Sequence, residues 1–468
     1  MMKAAEAVPL NLSVHVHEAD AESITLEQPT TSKERISSID VLRGFALLGI
    51  LMLNINDFGA PEAAHDIPIG MPKPAFTGPH AHLNLAILIL KWVFFEGKMR
   101  ALFSMLFGAG VVLMTSRAEK RGAGAQIADI YLRRNMWLVA LGFLHGCFLW
   151  HGDILFLYGL TALLVLYPIR KLSAKTLLTV GTFISLVLGT YALFEYTGSE
   201  HDLRLSKHAA VVAADRRTGK IITLEQKAVE TEWNALVEKH KVTDASIQKA
   251  MASAQAGYWT NVNERRHDYI GSRAALEYIT FIIESLGAMM IGMGLFKTGF
   301  LTGEKSYATY AWTALIGFAV SAPIYLIGIL KAYAGGFFFL DLEKWVFLPY
   351  YFPREAGAIA LAAAVMMVVK SNILRTLQHA LAAVGQTALS NYILTTVICQ
   401  FLFLWGPWKL YGKLEYFQLV CVVFGVWSVN LIISPIWLRT FRFGPIEWLW
   451  RSLTYVKLQP MLIKRQSA

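Results

Sequence analysis

Long apolar runs separated by short polar breaks dominate this chain. With a window of about 20 residues, ten candidate spans emerge at 37–57, 83–116, 132–150, 153–169, 175–195, 275–297, 306–331, 355–370, 379–404 and 416–438. Apolar runs of this length predict helices, because a helix satisfies its own backbone in lipid. The expected fold class is therefore an all-α polytopic membrane protein with about ten transmembrane helices. The second run is too long for one simple crossing. It reads LNLAILILKWVFF, then the polar knot Glu96-Gly97-Lys98, then MRALFSMLFGAGVVLM.

Charge placement decides how that run crosses. If it crosses once, Arg117, Lys120, Arg121, Arg133 and Arg134 fall on the side of the N-terminal tail. Arg170, Lys171, Lys175, Lys297, Lys305, Lys370 and Arg375 then join them. So do Arg439, Arg442, Arg451, Lys457, Lys464 and Arg465 near the C-terminus. The opposite short loops hold few bases: Lys73, Lys409 and Lys413. This is the positive-inside pattern, with one crossing for the long run and both termini cytoplasmic. Residues 196–274 interrupt it with polar, helix-favouring sequence such as LEQKAVETEWNALVEKHK, expected as a helical external insert. Its bases do not count against that side, since long loops translocate largely regardless of charge.

The domain reading follows. Residues 1–36 are a polar, disordered cytoplasmic tail without the apolar core of a signal peptide. Residues 37–195 and 275–438 form N- and C-terminal membrane bundles of about five spans each, and 439–468 an amphipathic cytoplasmic tail. In that tail GPIEWLWR reads as an interfacial segment held by tryptophans. Composition agrees: 55% of residues are hydrophobic and only 16% charged, against about a quarter charged in soluble domains. The net charge of +10 implies no nucleic-acid partner, for no such motif is present. The cysteines, Cys147, Cys399 and Cys421, are too far apart for a metal signature.

Ionisable groups inside spans are costly and so form the candidate site list. Glu96 and Arg100 share a helical face, either as a self-neutralising pair at a break or as the lining of a polar cavity. Glu284, in FIIESLGAMMIG, is a lone acid that is either structural or substrate-binding. The stretch LGFLHGCFLWHGDILFLYG reads as a tight hairpin of antiparallel helices at the outer face. It brings His145 and Asp153 within reach of one another, as a catalytic pair or as cap and packing. A carboxylate beside imidazole fixes its tautomer and raises its basicity. His151 is expected to be exposed. His65, His80 and His82 lie in the first external loop, where the H-x-H pair lacks further metal ligands; His80 or His82 is an alternative catalytic base. Arg133 and Arg134, in YLRRNMW, either anchor at headgroups or bind phosphates.

Several separated motifs carry a resemblance. They are RISSIDVLRGFALLGILMLNINDFG, FEGKMRALFSMLFGAG, the histidine hairpin, GQTALSNYILTTVIC and SPIWLRTFRFGPIEWLWRSLTY. Together they resemble the YeiB family of bacterial membrane proteins, which carry a C-terminal domain of unknown function. Asp40, Leu42, Arg43, Gly44 and Asn54 of the first motif are similar to the opening helix of a wider group of transmembrane acyltransferases. That group includes the acyltransferase-3 proteins and the lysosomal heparan glucosaminide N-acetyltransferases. The resemblance implies a multi-pass protein of the bacterial inner membrane that moves an acyl group from coenzyme A to an acceptor. Where acyltransferase-3 proteins have a histidine near the end of this helix, this chain has Asn54 and Asn56. A base would then be His145, His80 or His82.

The expected mechanism has Arg133 and Arg134 holding the phosphates of an acyl-CoA co-substrate. Asn54, Glu96, Arg100 and Glu284 would line the substrate cavity. His145, oriented by Asp153, would deprotonate a sugar or lipid-linked acceptor. No tightly bound cofactor and no metal are expected. A transporter or permease using the same charges as a relay, and a non-catalytic scaffold, are the alternatives. A closed, CoA-sized cavity facing the cytoplasm would favour acyl transfer.

Overall fold

A computed structural model describes residues 37–61, 76–122, 124, 126–198, 200–241, 243–270 and 272–463. The expected tail 1–36, together with His65, Lys73, Lys464 and Arg465, lies outside the described residues. The first helices are α1 (Ser37–Gly59), α2 (Ala81–Phe94), α3 (Lys98–Lys120) and α4 (Gln126–Phe148). Next come α5 (Leu155–Thr161), α6 (Tyr167–Ile169) and α7 (Ala174–Gly198), with a π-helical turn, Ala162–Leu166, joining α5 to α6. The insert folds as α8 (Glu200–Arg217), α9 (Leu224–His240), α10 (Asp244–Ala254) and α11 (Tyr258–Ile270). The chain continues through α12 (Ser272–Lys297), α13 (Tyr307–Ala334), α14 (Phe339–Leu342) and α15 (Tyr351–Ser371). It closes with α16 (Arg375–Gln386), α17 (Ala388–Gln400), α18 (Tyr416–Trp437) and α19 (Pro445–Tyr455). No strand occurs among the described residues, only an isolated bridge between Phe441 and Leu462.

Seven helices among the described residues are long and apolar enough to cross a membrane. One of them is the 40-residue passage Ala81–Lys120, in which α2 and α3 follow one another across a break at the expected polar knot. There Gly97 adopts φ 67°, a left-handed conformation that glycine enters without penalty. The expected spans 153–169 and 175–195 correspond to shorter apolar helices, and α4 carries Arg133 and Arg134 in its third turn. The expected continuous span 379–404 is corrected: it breaks at Thr387 (φ −111°, ψ 34°), where α16 ends and α17 begins. The freed amides of Leu389 and Ser390 donate to the Glu447 carboxylate at 2.5 and 3.1 Å. A negative side chain at a helix N-terminus is a favourable partner for such amides, which explains how a break inside an apolar run is tolerated.

Small residues allow the helices to approach closely. A Cβ on Gly108 of α3 would overlap the Met289 carbonyl of α12, and one on Gly292 would overlap that of Met105. Between helices in lipid, such backbone approach supplies the packing that apolar side chains alone do not.

The bundle has two distinguishable ends. At the tail end the basic segments are tied together: Lys297 donates to Leu172 O (2.6 Å), Lys370 to Gly303 O (3.0 Å) and Arg170 pairs with Glu119 (3.4 Å). At the insert end Tyr258 of α11 donates to Phe148 O at 3.1 Å, and His240 stacks on Phe339 at 4.2 Å.

Candidate functional site

The α4–α5 hairpin sets its own register through two glycines. A Cβ on Gly142 would overlap the amide of Phe156, and one on Gly159 would meet the Val139 amide at 2.9 Å. Antiparallel helices that oppose 142 to 156 and 139 to 159 must also oppose 145 to 153. His145 Nδ1 accordingly lies 2.9 Å from Asp153 Oδ1, with both side chains at most 1% exposed. The two atoms are in close contact without well-aligned hydrogen-bond geometry. The other Asp153 oxygen accepts the Phe156 amide at 2.7 Å, so this residue both caps α5 and faces the imidazole. On the far side, His145 Nε2 is 3.0 Å from Thr396 Oγ1 of α17, and the rings of His145 and Tyr392 are 4.9 Å apart. His151 is exposed.

A second buried group surrounds the Gly97 break. Arg100 Nη2 reaches Glu284 Oε1 at 2.7 Å, and Arg354 also pairs with Glu284. Arg354 pairs in turn with Glu355, which accepts from Ser185 at 3.2 Å. Tyr350 donates to Glu96 at 3.5 Å and receives Arg100 at 3.4 Å. Lys98, fully buried, donates to Trp92 O at 2.8 Å and stands 3.5 Å over the Tyr325 ring. Glu96, Arg100 and Glu284 are thus brought together. Sequence reasoning missed Arg354 and Glu355: the expected span began at 355, which left YYFPR in a loop and Glu355 at the very start of the span. Asn54 is only half-buried on α1; the neighbouring Asn56 amide is the engaged one, donating to Tyr416 at 2.8 Å.

Neither group lines the cavity. A cavity of about 250 Å³ opens between α1, α3, α4, α5, α17 and α19 at the tail end. Its α3 wall runs from Phe103 to Met114, about 16 Å at ~1.5 Å per residue. Phe107, Leu106, Val111 and Leu138 make that wall apolar, while Tyr158 and Tyr392 close the inner end. Tyr158 leads toward the charged group, its hydroxyl 3.3 Å from Arg100 O. Tyr392 stands before His145.

The outer end carries Arg43, Arg134 and Arg451. Asp40 holds Arg43 at 2.9 Å, whereas Arg134 lies flat over Trp450 at 3.8 Å and Arg451 over Phe443 at 4.7 Å. Among the described residues no carboxylate pairs with Arg134; its charged neighbours are Arg43 and Arg451. Glu447 faces the cavity but is committed to α17, its second oxygen 2.5 Å from Ser390 Oγ. Burial pushes that carboxyl above its ordinary range, against the pull of those hydrogen bonds. The result is a guanidinium-rich mouth in which Arg134 has no carboxylate partner among the described residues, suited to an anion.

The remaining candidates lie apart. Arg133 points away from the cavity, its Nε 3.4 Å from Asp129 O. His80 occupies the N-cap position of α2 at the insert end without a side-chain capping bond, 3.2 Å from Glu415 and about half exposed; His82 beside it is exposed.

Known proteins share this arrangement of sequence. Residues 295–457 match a family described as "Protein of unknown function (DUF418)". The Escherichia coli (strain K12) protein named "Uncharacterized protein YeiB" is 31% identical over 441 residues, covering 92% of this chain and 99% of that relative. The chain belongs to the YeiB family. The Bacillus subtilis (strain 168) protein named "Uncharacterized protein YxaH" is 28% identical over 451 residues, 93% of this chain and 98% of its own. With its apolar helices, this YeiB-family chain is a membrane protein. No solved structure matches it.

Proposed function

We propose that this YeiB-family protein is a transmembrane acyltransferase, taking an acyl group from a cytoplasmic acyl-CoA and delivering it to an external or membrane-embedded acceptor. The observation that carries this reading is Arg134, without a carboxylate partner among the described residues, at the mouth of an apolar-walled cavity. An anionic head bound there would leave its apolar arm in the cavity. A coenzyme A thioester has that construction: phosphates for Arg134, Arg43 and Arg451, and a narrow arm to extend inward. The depth of about 16 Å along α3 brings the far end of such an arm to Tyr392, with His145 and Asp153 behind it.

Orientation supports the same donor. The basic segments gather at the tail end, which the positive-inside rule assigns to the cytoplasm. Ten passages then alternate across the bacterial inner membrane, and the insert stands outside. The Gly97 break is the feature a transporter would use, but its charges pair with one another away from the cavity.

The test is equilibrium binding of acetyl-CoA to the purified protein in detergent. Saturable binding, lost in Arg134→Ala and kept in His145→Ala, is expected. No binding at millimolar acetyl-CoA would sink the proposed donor.

A further inference from the structure

We propose that Thr396 is the nucleophile that receives the acyl group, making the transfer a two-step reaction; this rests on the acyl-CoA function above. Three side chains stand in series: Asp153 Oδ1 is 2.9 Å from His145 Nδ1, and His145 Nε2 is 3.0 Å from Thr396 Oγ1. A hydroxyl within hydrogen-bond reach of a base, itself oriented by a third group, is the geometry of an activated nucleophile. With the proton on Nδ1, the nitrogen beside Asp153, Nε2 offers its lone pair to the Thr396 hydroxyl, which would turn to it from its donation to Tyr392 O at 3.3 Å.

Position relative to the cavity agrees. Tyr392 lines the inner end, and Thr396 lies one turn farther along the same face of α17, about 6 Å away. Turning the Tyr392 ring, whose hydroxyl reaches Ile154 N at 3.4 Å and Gly152 O at 3.5 Å, would admit the thioester. A covalent intermediate also resolves the problem of access. The cavity opens at the tail end, while α11 covers the hairpin at the insert end, Tyr258 and Arg265 reaching Phe148 O and Cys147 O at 3.1 and 3.4 Å. Donor and acceptor therefore need not be present together.

In the first step Thr396 Oγ1 attacks the thioester carbonyl, forming a C–O bond as its proton passes to His145 Nε2. The C–S bond breaks, and that proton leaves with the sulfur as free coenzyme A thiol. In the second step an acceptor hydroxyl or amine attacks the threonyl ester. The C–O bond to Thr396 breaks, and His145 carries the acceptor's proton back to Oγ1.

The experiment incubates full-length protein in detergent with acetyl-labelled acetyl-CoA and no acceptor, then maps the label by peptide mass spectrometry. Label on Thr396 with matching thiol release is expected. Thr396→Val should abolish it, Thr396→Ser should restore it in part, and His145→Ala should slow it about a hundredfold or more. Thr395→Val, whose hydroxyl instead receives Asn430 at 3.0 Å, should keep it. Acetyl-CoA binding by each variant reports folding. Wild-type protein that binds acetyl-CoA but carries no label on Thr396 overturns the nucleophile and leaves the donor standing. Undiminished label in Thr396→Val does the same. Absence of binding in the wild type overturns both.

Discussion

Two arginines within one bundle have opposite surroundings. Arg354 is completely buried and sits between Glu284 and Glu355. Arg134 rests against an indole face, with other arginines for charged neighbours. The first is satisfied by the protein, so removing a partner should unfold it. The second has binding capacity left, so removing it should affect a ligand and little else. Buried charge alone does not mark a site; unsatisfied charge beside a cavity does.

The largest effect should come from breaking the satisfied group. Glu284→Ala leaves Arg100 and Arg354 facing each other without their shared carboxylate. Stripping one partner from a buried pair costs about 3–5 kcal/mol. Thermal denaturation in detergent should show a steep fall in midpoint, and an unchanged midpoint would remove the structural role. Next comes His145→Ala, which should slow acyl transfer by about a hundredfold to ten-thousandfold, the range of a general base. Donor affinity should hold; if affinity fell in parallel with rate, His145 would belong to binding instead.

Arg134→Ala tests the other side of the comparison. A hydrogen bond to a charged group contributes about 1.5–3 kcal/mol, so acetyl-CoA affinity should drop about tenfold to a hundredfold with the melting midpoint retained. Arg133→Ala, one residue away but outside the cavity, should change affinity by no more than about 0.5 kcal/mol. Equal losses in both variants would mean a diffuse basic surface rather than a built mouth. The smallest effect is that of salt. Raising ionic strength should weaken donor binding, since partly exposed charges are screened over about 10 Å at 0.1 M. The buried Glu284 group should respond far less, and a parallel loss of thermal stability would argue that water reaches it.

Much of this was legible in the chain. The apolar periods predict helices throughout, and the polar knot at Glu96–Lys98 predicts the break that Gly97 makes. The Gly-Asp turn after His151 predicts a hairpin close enough to join His145 to Asp153, a local contact between adjacent helices. Distant pairings were not legible. Thr396 is an ordinary hydroxyl in an apolar run, and nothing near it in sequence points to a histidine 251 positions away. Arg354 and Glu355 were not singled out at all, lying where the expected span 355–370 begins. Glu447 read as one acid in an amphipathic tail, although its carboxylate holds the start of α17.

By itself, then, the sequence determined which segments are helical, which of them are apolar enough for a bilayer, and which neighbouring residues a short turn must bring together. Those follow from local period, transfer free energy and chain connectivity. Only the tertiary structure decided that Glu284 is shared by two arginines and that Arg134 stands beside a cavity with no carboxylate partner among the described residues. Each of those facts depends on helices that are remote in the chain, and on how closely their glycines allow the backbones to approach.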